Sequence, residues 1–129
     1  LDVSPESVRE AIIKVNYPDL ERILDEGGDP NGQAGCFNTP HIIEAIAGDQ
    51  YRMAKLLFVK GANLKIKCYP DSPDYCTLQY AIARAKYLMS AKHETLFAQN
   101  MEFIGMLLRN DIQPSPKAQV WLKNNHFVW

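Results

Sequence analysis

A chain of 129 residues that is 47% apolar and 22% charged has enough core-forming residues for one globular domain, and too much apolar content for disorder over its whole length. Lys and Arg (14) nearly cancel Asp and Glu (15), leaving a formal charge of -1 without the basic stripe or polybasic cluster that nucleic acid or acidic lipid requires. No apolar run approaches the roughly 18 residues of a membrane span, and the opening LDVSPESVRE lacks a basic-then-apolar leader.

In chain order, Val8, Ala11, Ile12 and Val15 recur at spacings of three and four, which predicts one face of a helix. Pro18-Asp19 breaks that helix and opens a second, with Leu20, Ile23 and Leu24 inward. Gly27-Gly28 is a helix stop, and Asp29-Pro30-Asn31 has turn chemistry. Thr39-Pro40 starts a third helix carrying Ile42, Ile43, Ala45 and Ile46. Gly48-Asp49 turns the chain, and Met53, Ala54, Leu56, Leu57 and Phe58 form the next apolar stripe.

These segments repeat. Gly27 and Gly61 lie 34 residues apart, and Ala11 and Ala45 each precede their glycine by 16. ILDEGGDPN, LLFVKGANLK and LLRNDIQP close three successive units, with Asp111 where the first two have glycine. Thr39-Pro40, Ala45 and the run Leu56 to Asn63 resemble the ankyrin repeat, whose period is about 33 and whose signature includes T-P-L-H-x-A. His41 reads as a one-residue insertion after the Thr-Pro, and Ile43 stands where the family prefers histidine. Cys76-Thr77-Leu78-Gln79-Tyr80-Ala81 occupies the same place in the third unit. The resemblance covers residues 4–114 and implies an all-α solenoid of stacked helix-turn-helix pairs with β-turn fingers. It would form one domain over 1–129, with repeats at about 4–33, 34–67 and 68–114 and a cap at 115–129. Three units is also the number at which stacking sustains itself, because one unit cannot bury its own face.

The chain departs from the repeat in two places. The connection KCYPDSPDY, 67–75, is expected to run about three residues longer than the pattern needs. AKYLMSAKHETLFAQN, 85–100, adds about 14 more; it lacks Gly and Pro and favours helix. Ala81, Ala85, Leu88 and Met89 continue one stripe, and Leu96, Phe97, Met101 and Ile104 another. Two lengthened helices meeting near 91–94 satisfy both, each about 10 Å longer at 1.5 Å per residue. At the end of the chain, Val120, Trp121, Phe127 and Trp129 form either a lid on the last repeat or an exposed docking patch.

Catalytic and metal chemistry find little support. Cys36, Cys68 and Cys76 are an odd, low count that implies no disulfide framework and suits a reducing compartment. His41, His93 and His126 have no metal-ligand spacing, so no metal and no cofactor is expected. His93-Glu94 falls at a hairpin tip and reads as a solvated pair. Asp71 and Asp74 could flank a site, but between prolines such residues cap turns. The glycines of 27–35 neither follow a strand nor precede a P-loop lysine. No catalytic constellation results, and no enzymatic activity is expected.

The ankyrin resemblance implies a protein-protein interaction module, monomeric and cytoplasmic, that binds a partner protein through its concave face and fingers. Carried onto this chain, the partner-binding positions are Phe37 and Asn38 on one finger, Tyr69, Asp71, Asp74 and Tyr75 on the next, and Lys14, Ala47 and Arg84 on first helices. The aromatics would be anchors, or would pack on the base of their own finger. A start at Leu1 fits a piece of a longer protein, and the alternative reading is the substrate-recruiting domain of a larger enzyme or of an effector delivered into a host cell. A purely structural spacer is the third reading.

Overall fold

Ser4-Pro5 opens the first helix in the computed structural model, which describes residues 1–127. The Ser4 hydroxyl accepts from the Ser7 N–H, filling one of the donors that a helix start leaves unpaired. The helices are α1 Pro5–Ile13, α2 Tyr17–Asp25, α3 His41–Ala47, α4 Tyr51–Val59, α5 Cys76–Ser90, α6 Glu94–Arg109 and α7 Pro116–Asn124. Two short strands, β1 Gln33–Ala34 and β2 Thr39–Pro40, pair antiparallel. The chain is thus mostly helical, and it divides into two compact units, Leu1–Asn63 and the residues from Leu64 on. That boundary falls close to the expected end of the second repeat.

In the first unit, α1 packs on α2 and α3 on α4. Val8, Ala11, Ile12, Leu20, Ile23 and Leu24 are buried, as their spacing predicts. Val15 is not part of that face. The helix ends at Ile13, and Val15 turns the chain with φ 54° while its side chain stays exposed. A β-branched residue in this left-handed region costs about 1–2 kcal/mol, accepted here to let α2 turn back. Ile42, Ile43, Ala45, Ile46, Met53, Ala54, Leu56 and Leu57 complete the core, with Phe58 only half-buried.

His41 directly follows the short strand Thr39–Pro40. It is the first residue of α3, its N–H donates to the Gly32 carbonyl at 3.1 Å, and its ring is buried against Gly32. A Cβ on Gly32 would lie 2.7 Å from His41 Nε2, so glycine is required there for close approach.

In the second unit, α5 and α6 span 15 and 16 residues against seven to nine for the other helices. They are the lengthened pair that the 85–100 composition predicts, and they meet at 91–93. The phase of the stripes differs in part. Ala81, Ala85 and Leu88 are buried but Met89 is exposed; on α6 the buried positions are Asn100, Phe103, Ile104 and Leu107, with Leu96, Phe97 and Met101 half-buried. Asn100 takes its place among apolar residues by donating to the Ala81 carbonyl at 2.9 Å. Ala118 and Leu122 bury α7, while Val120 is exposed and Trp121 and Phe127 are half-buried. Trp129 lies outside the described residues.

Backbone geometry recurs at matched positions. After α1, α3, α5 and α7 a residue with positive φ (Val15, Asp49, Lys92, His126) is followed by an N–H that reaches back five residues: Asn16 to Ala11, Gln50 to Ala45, His93 to Leu88 and Phe127 to Leu122, at 2.8–3.0 Å. After α2, α4 and α6 the positive-φ residue is Gly27, Gly61 or Asp111, and Gly28, Ala62 and Ile112 donate to Ile23, Leu57 and Leu107. This is the Schellman-type closure, which absorbs carbonyls left open at a helix end. Asp111 holds the glycine position with φ 65°, its carboxylate 3.0 Å from Lys65 Nζ.

Candidate protein-binding loops

Two loops carry most of the positions picked out by sequence. In the first unit β1 and β2 frame a hairpin, with Gln33 opposite Pro40 and Ala34 opposite Thr39. Gly35 and Asn38 both take positive φ, and the Asn38 N–H closes onto the Gly35 carbonyl at 3.1 Å. Asn38 Nδ2 also donates to Gln33 Oε1 at 2.6 Å, so Asn38 stiffens the tip. A Cβ on Gly35 would meet Arg9 Nε at 2.7 Å, and Arg9 Nε is itself 3.0 Å from Glu44 Oε1. The hairpin is therefore held against α1 and α3 at its base. Phe37 at its tip is 92% exposed, which excludes packing on its own base.

The second loop is framed by the Lys67–Tyr75 bridge. It holds seven residues between its paired positions, against six between Gln33 and Pro40, and contains a tight turn in which Ser72 N–H donates to the Tyr69 carbonyl at 3.0 Å. Ser72 is buried, with its hydroxyl 2.8 Å from the Asp74 carbonyl oxygen and 3.0 Å from Gln79 Oε1. Lys67 Nζ donates to the Ser72 carbonyl at 2.8 Å and lies 4.8 Å from the centre of the Tyr75 ring. Tyr75 is consequently half-buried, whereas Tyr69 is 53% exposed and Asp71 is exposed.

Cys68 and Cys76 form a disulfide, with Cα atoms 4.8 Å apart. The expectation of no disulfide framework is corrected: the bridge at Lys67–Tyr75 folds the loop so that a residue just inside it meets the first residue of α5. Cys36 remains free and exposed.

Asp74 has a different position from its loop neighbours. Its Oδ1 accepts the Ser115 N–H at 2.7 Å and its Oδ2 the Ser115 hydroxyl at 2.6 Å, while Ser115 Oγ accepts from Ala118 N–H at 3.2 Å. Both carboxylate oxygens are engaged at the N-terminus of α7, where the helix dipole favours negative charge.

The remaining positions lie on helices. Lys14 caps the end of α1 and pairs with Glu10 at 2.5 Å, a contact that raises its pKa above the ordinary lysine value. Ala47 ends α3, exposed. Arg84 is half-buried on α5, its guanidinium 4.6 Å from the centre of the Tyr87 ring. Phe37 and Asn38 thus share one hairpin, and Tyr69, Asp71, Asp74 and Tyr75 share one loop. Lys14, Ala47 and Arg84 belong to neither.

No family model, curated protein or solved structure matches this chain. Among the described residues there is no group of three or more His, Cys, Asp or Glu placed to hold a metal ion, and no helix is long and apolar enough to cross a membrane.

A groove of about 330 Å³ in the second unit went unread in the sequence. Tyr69 and Asp74 of the loop, Ile82 and Lys86 of α5, and Lys117 and Trp121 of α7 all line it. The signal was thin: two lysines 31 residues apart, on two different helices, have no local pattern joining them.

Proposed function

We propose that the chain is a protein-binding module built of ankyrin-type helix pairs, contacting its partner through the finger loops. The single observation that carries the binding reading is Phe37, a large apolar ring almost wholly exposed at the tip of a hairpin braced by Arg9, Glu44 and Asn38. A ring held out from a fixed base can bury its area in a partner at little cost in rotamer freedom, which is how interface anchors work. Tyr69 supplies a second anchor. The ankyrin reading is supported by the 34-residue recurrence of Gly27 and Gly61, with the same backbone closure after each. The test is capture of partners from the native source by the parent chain and by a Phe37→Ala, Tyr69→Ala variant. A partner lost by at least about 2 kcal/mol of affinity in the folded double variant supports the reading; an unchanged set of captured proteins removes the fingers from it.

A further inference from the structure

We infer that the groove between the second loop, α5 and α7 takes an acidic peptide segment carrying one large apolar side chain. This deepens the partner-binding reading and rests on it. The groove is about 330 Å³, at the low end of the roughly 300–1,000 Å³ found for binding clefts and suited to one anchor side chain with its flanks. Ile82, Trp121 and the Tyr69 ring supply apolar lining. Lys86 and Lys117, from two different helices, reach the same groove, and neither makes an ion pair with any of the described residues. By contrast Lys14, Lys60 and Lys65 each lie beside a carboxylate of their own unit.

The one acidic side chain lining the groove, Asp74, is turned to Ser115 through both oxygens, so its charge is met by the α7 N-terminus. The two lysines are thus left as cations over an apolar floor, without a counter-ion among the described residues. Carboxylates flanking an apolar anchor complement that pattern. A nucleic acid fits it less well, because a strand-tracking groove needs a run of cations and the chain as a whole carries a charge of -1.

The full chain is titrated with a fluorescein-labelled peptide of alternating glutamate and aspartate around one phenylalanine. Anisotropy reads the affinity, and amide and indole NMR shifts locate the contact. Shifts centred on Ile82, Lys86, Lys117 and the Trp121 indole are expected, with affinity falling as salt is added. Lys86→Glu with Lys117→Glu, both at exposed positions, should weaken binding about tenfold or more while the circular dichroism spectrum is kept. Replacing the peptide phenylalanine by glycine should weaken it comparably. The inference is overturned if a lysine-for-acid version of the peptide binds as tightly, if the double variant binds unchanged, if the shifts fall elsewhere, or if oligothymidylate binds more tightly than the peptide. A captured partner lost with Phe37→Ala alone yet kept by the lysine double variant removes the groove and leaves the binding reading in place.

Discussion

Replacing Asp74 by alanine should loosen α7 without unfolding the rest of the second unit. The carboxylate accepts two hydrogen bonds from Ser115, at 2.7 and 2.6 Å, and Ser115 in turn caps α7. Hydrogen bonds to a charged acceptor are worth about 1.5–3 kcal/mol each, but this pair is only part-buried, so the low end applies and water recovers some of it. The Ser115 hydroxyl also keeps its own bond to Ala118 in the variant. A net loss of about 2 kcal/mol follows, equivalent to about a 30-fold change in an opening equilibrium. The loss should be local: α7 has nine residues, short of the roughly 12–15 at which a helix becomes marginal by itself. Hydrogen exchange is the assay. Amides of 118–124 should exchange about 30-fold faster in Asp74→Ala, and about a third to a tenth as much faster in Asp74→Asn, which keeps one acceptor. Protection in α5 and α6 should be unchanged. A change under about threefold across α7 would refute the clamp and return Asp74 to the exposed face as a contact residue.

Leu57→Ala and Leu24→Ala, at 0% and 7% exposure, should each destabilise by about 2–5 kcal/mol in urea unfolding; losses under half a kcal/mol at both would mean that the core is misplaced. His41 is buried with neither ring nitrogen hydrogen-bonded within the described residues, and burial lowers its pKa despite Asp29, Glu44 and Glu6, which oppose the shift. The unfolded chain therefore takes up the proton first: stability is complete above about pH 6.5 and falls with acid, by at most about 1.4 kcal/mol per pH unit, until the folded ring titrates. Urea midpoints measured between about pH 5 and 6.5 should show that slope, and His41→Leu should flatten it; an equal slope in both proteins would disprove it. Mass spectrometry of the unreduced protein should find it two hydrogens lighter than the fully reduced chain. Reduction of Cys68–Cys76, which closes a loop with a sequence separation of 8, should cost about 2–3 kcal/mol in the same unfolding assay; no cost would mean that the loop is equally ordered when open.

Much of the helical framework was legible in the chain because its causes act within a turn or two. Apolar spacing of three and four placed Val8, Ala11 and Ile12 inward, and Gly27 and Gly61 stop helices because a residue without a Cβ takes the positive φ of that closure at no steric cost. The added length of the helices 76–90 and 94–109 follows from the stretch 85–100, which has no Gly or Pro. Misreadings came where spacing competed with a turn: Val15 kept the period but fell past the helix end, and Met89 kept the stripe but points out to solvent.

Tertiary structure alone decided the roles of the loop residues. Phe37, Tyr69 and Tyr75 looked equivalent as aromatics on connections, yet Phe37 is exposed while Tyr75 lies beneath Lys67. Asp74 meets a partner 41 residues away, Arg9 one 35 residues away, and Lys86 and Lys117 converge from different helices. Backbone preference and hydrophobic period fix a helix locally. The neighbours of a polar or aromatic side chain are set by loop geometry and by where separate helices come to rest, and no short-range pattern encodes that.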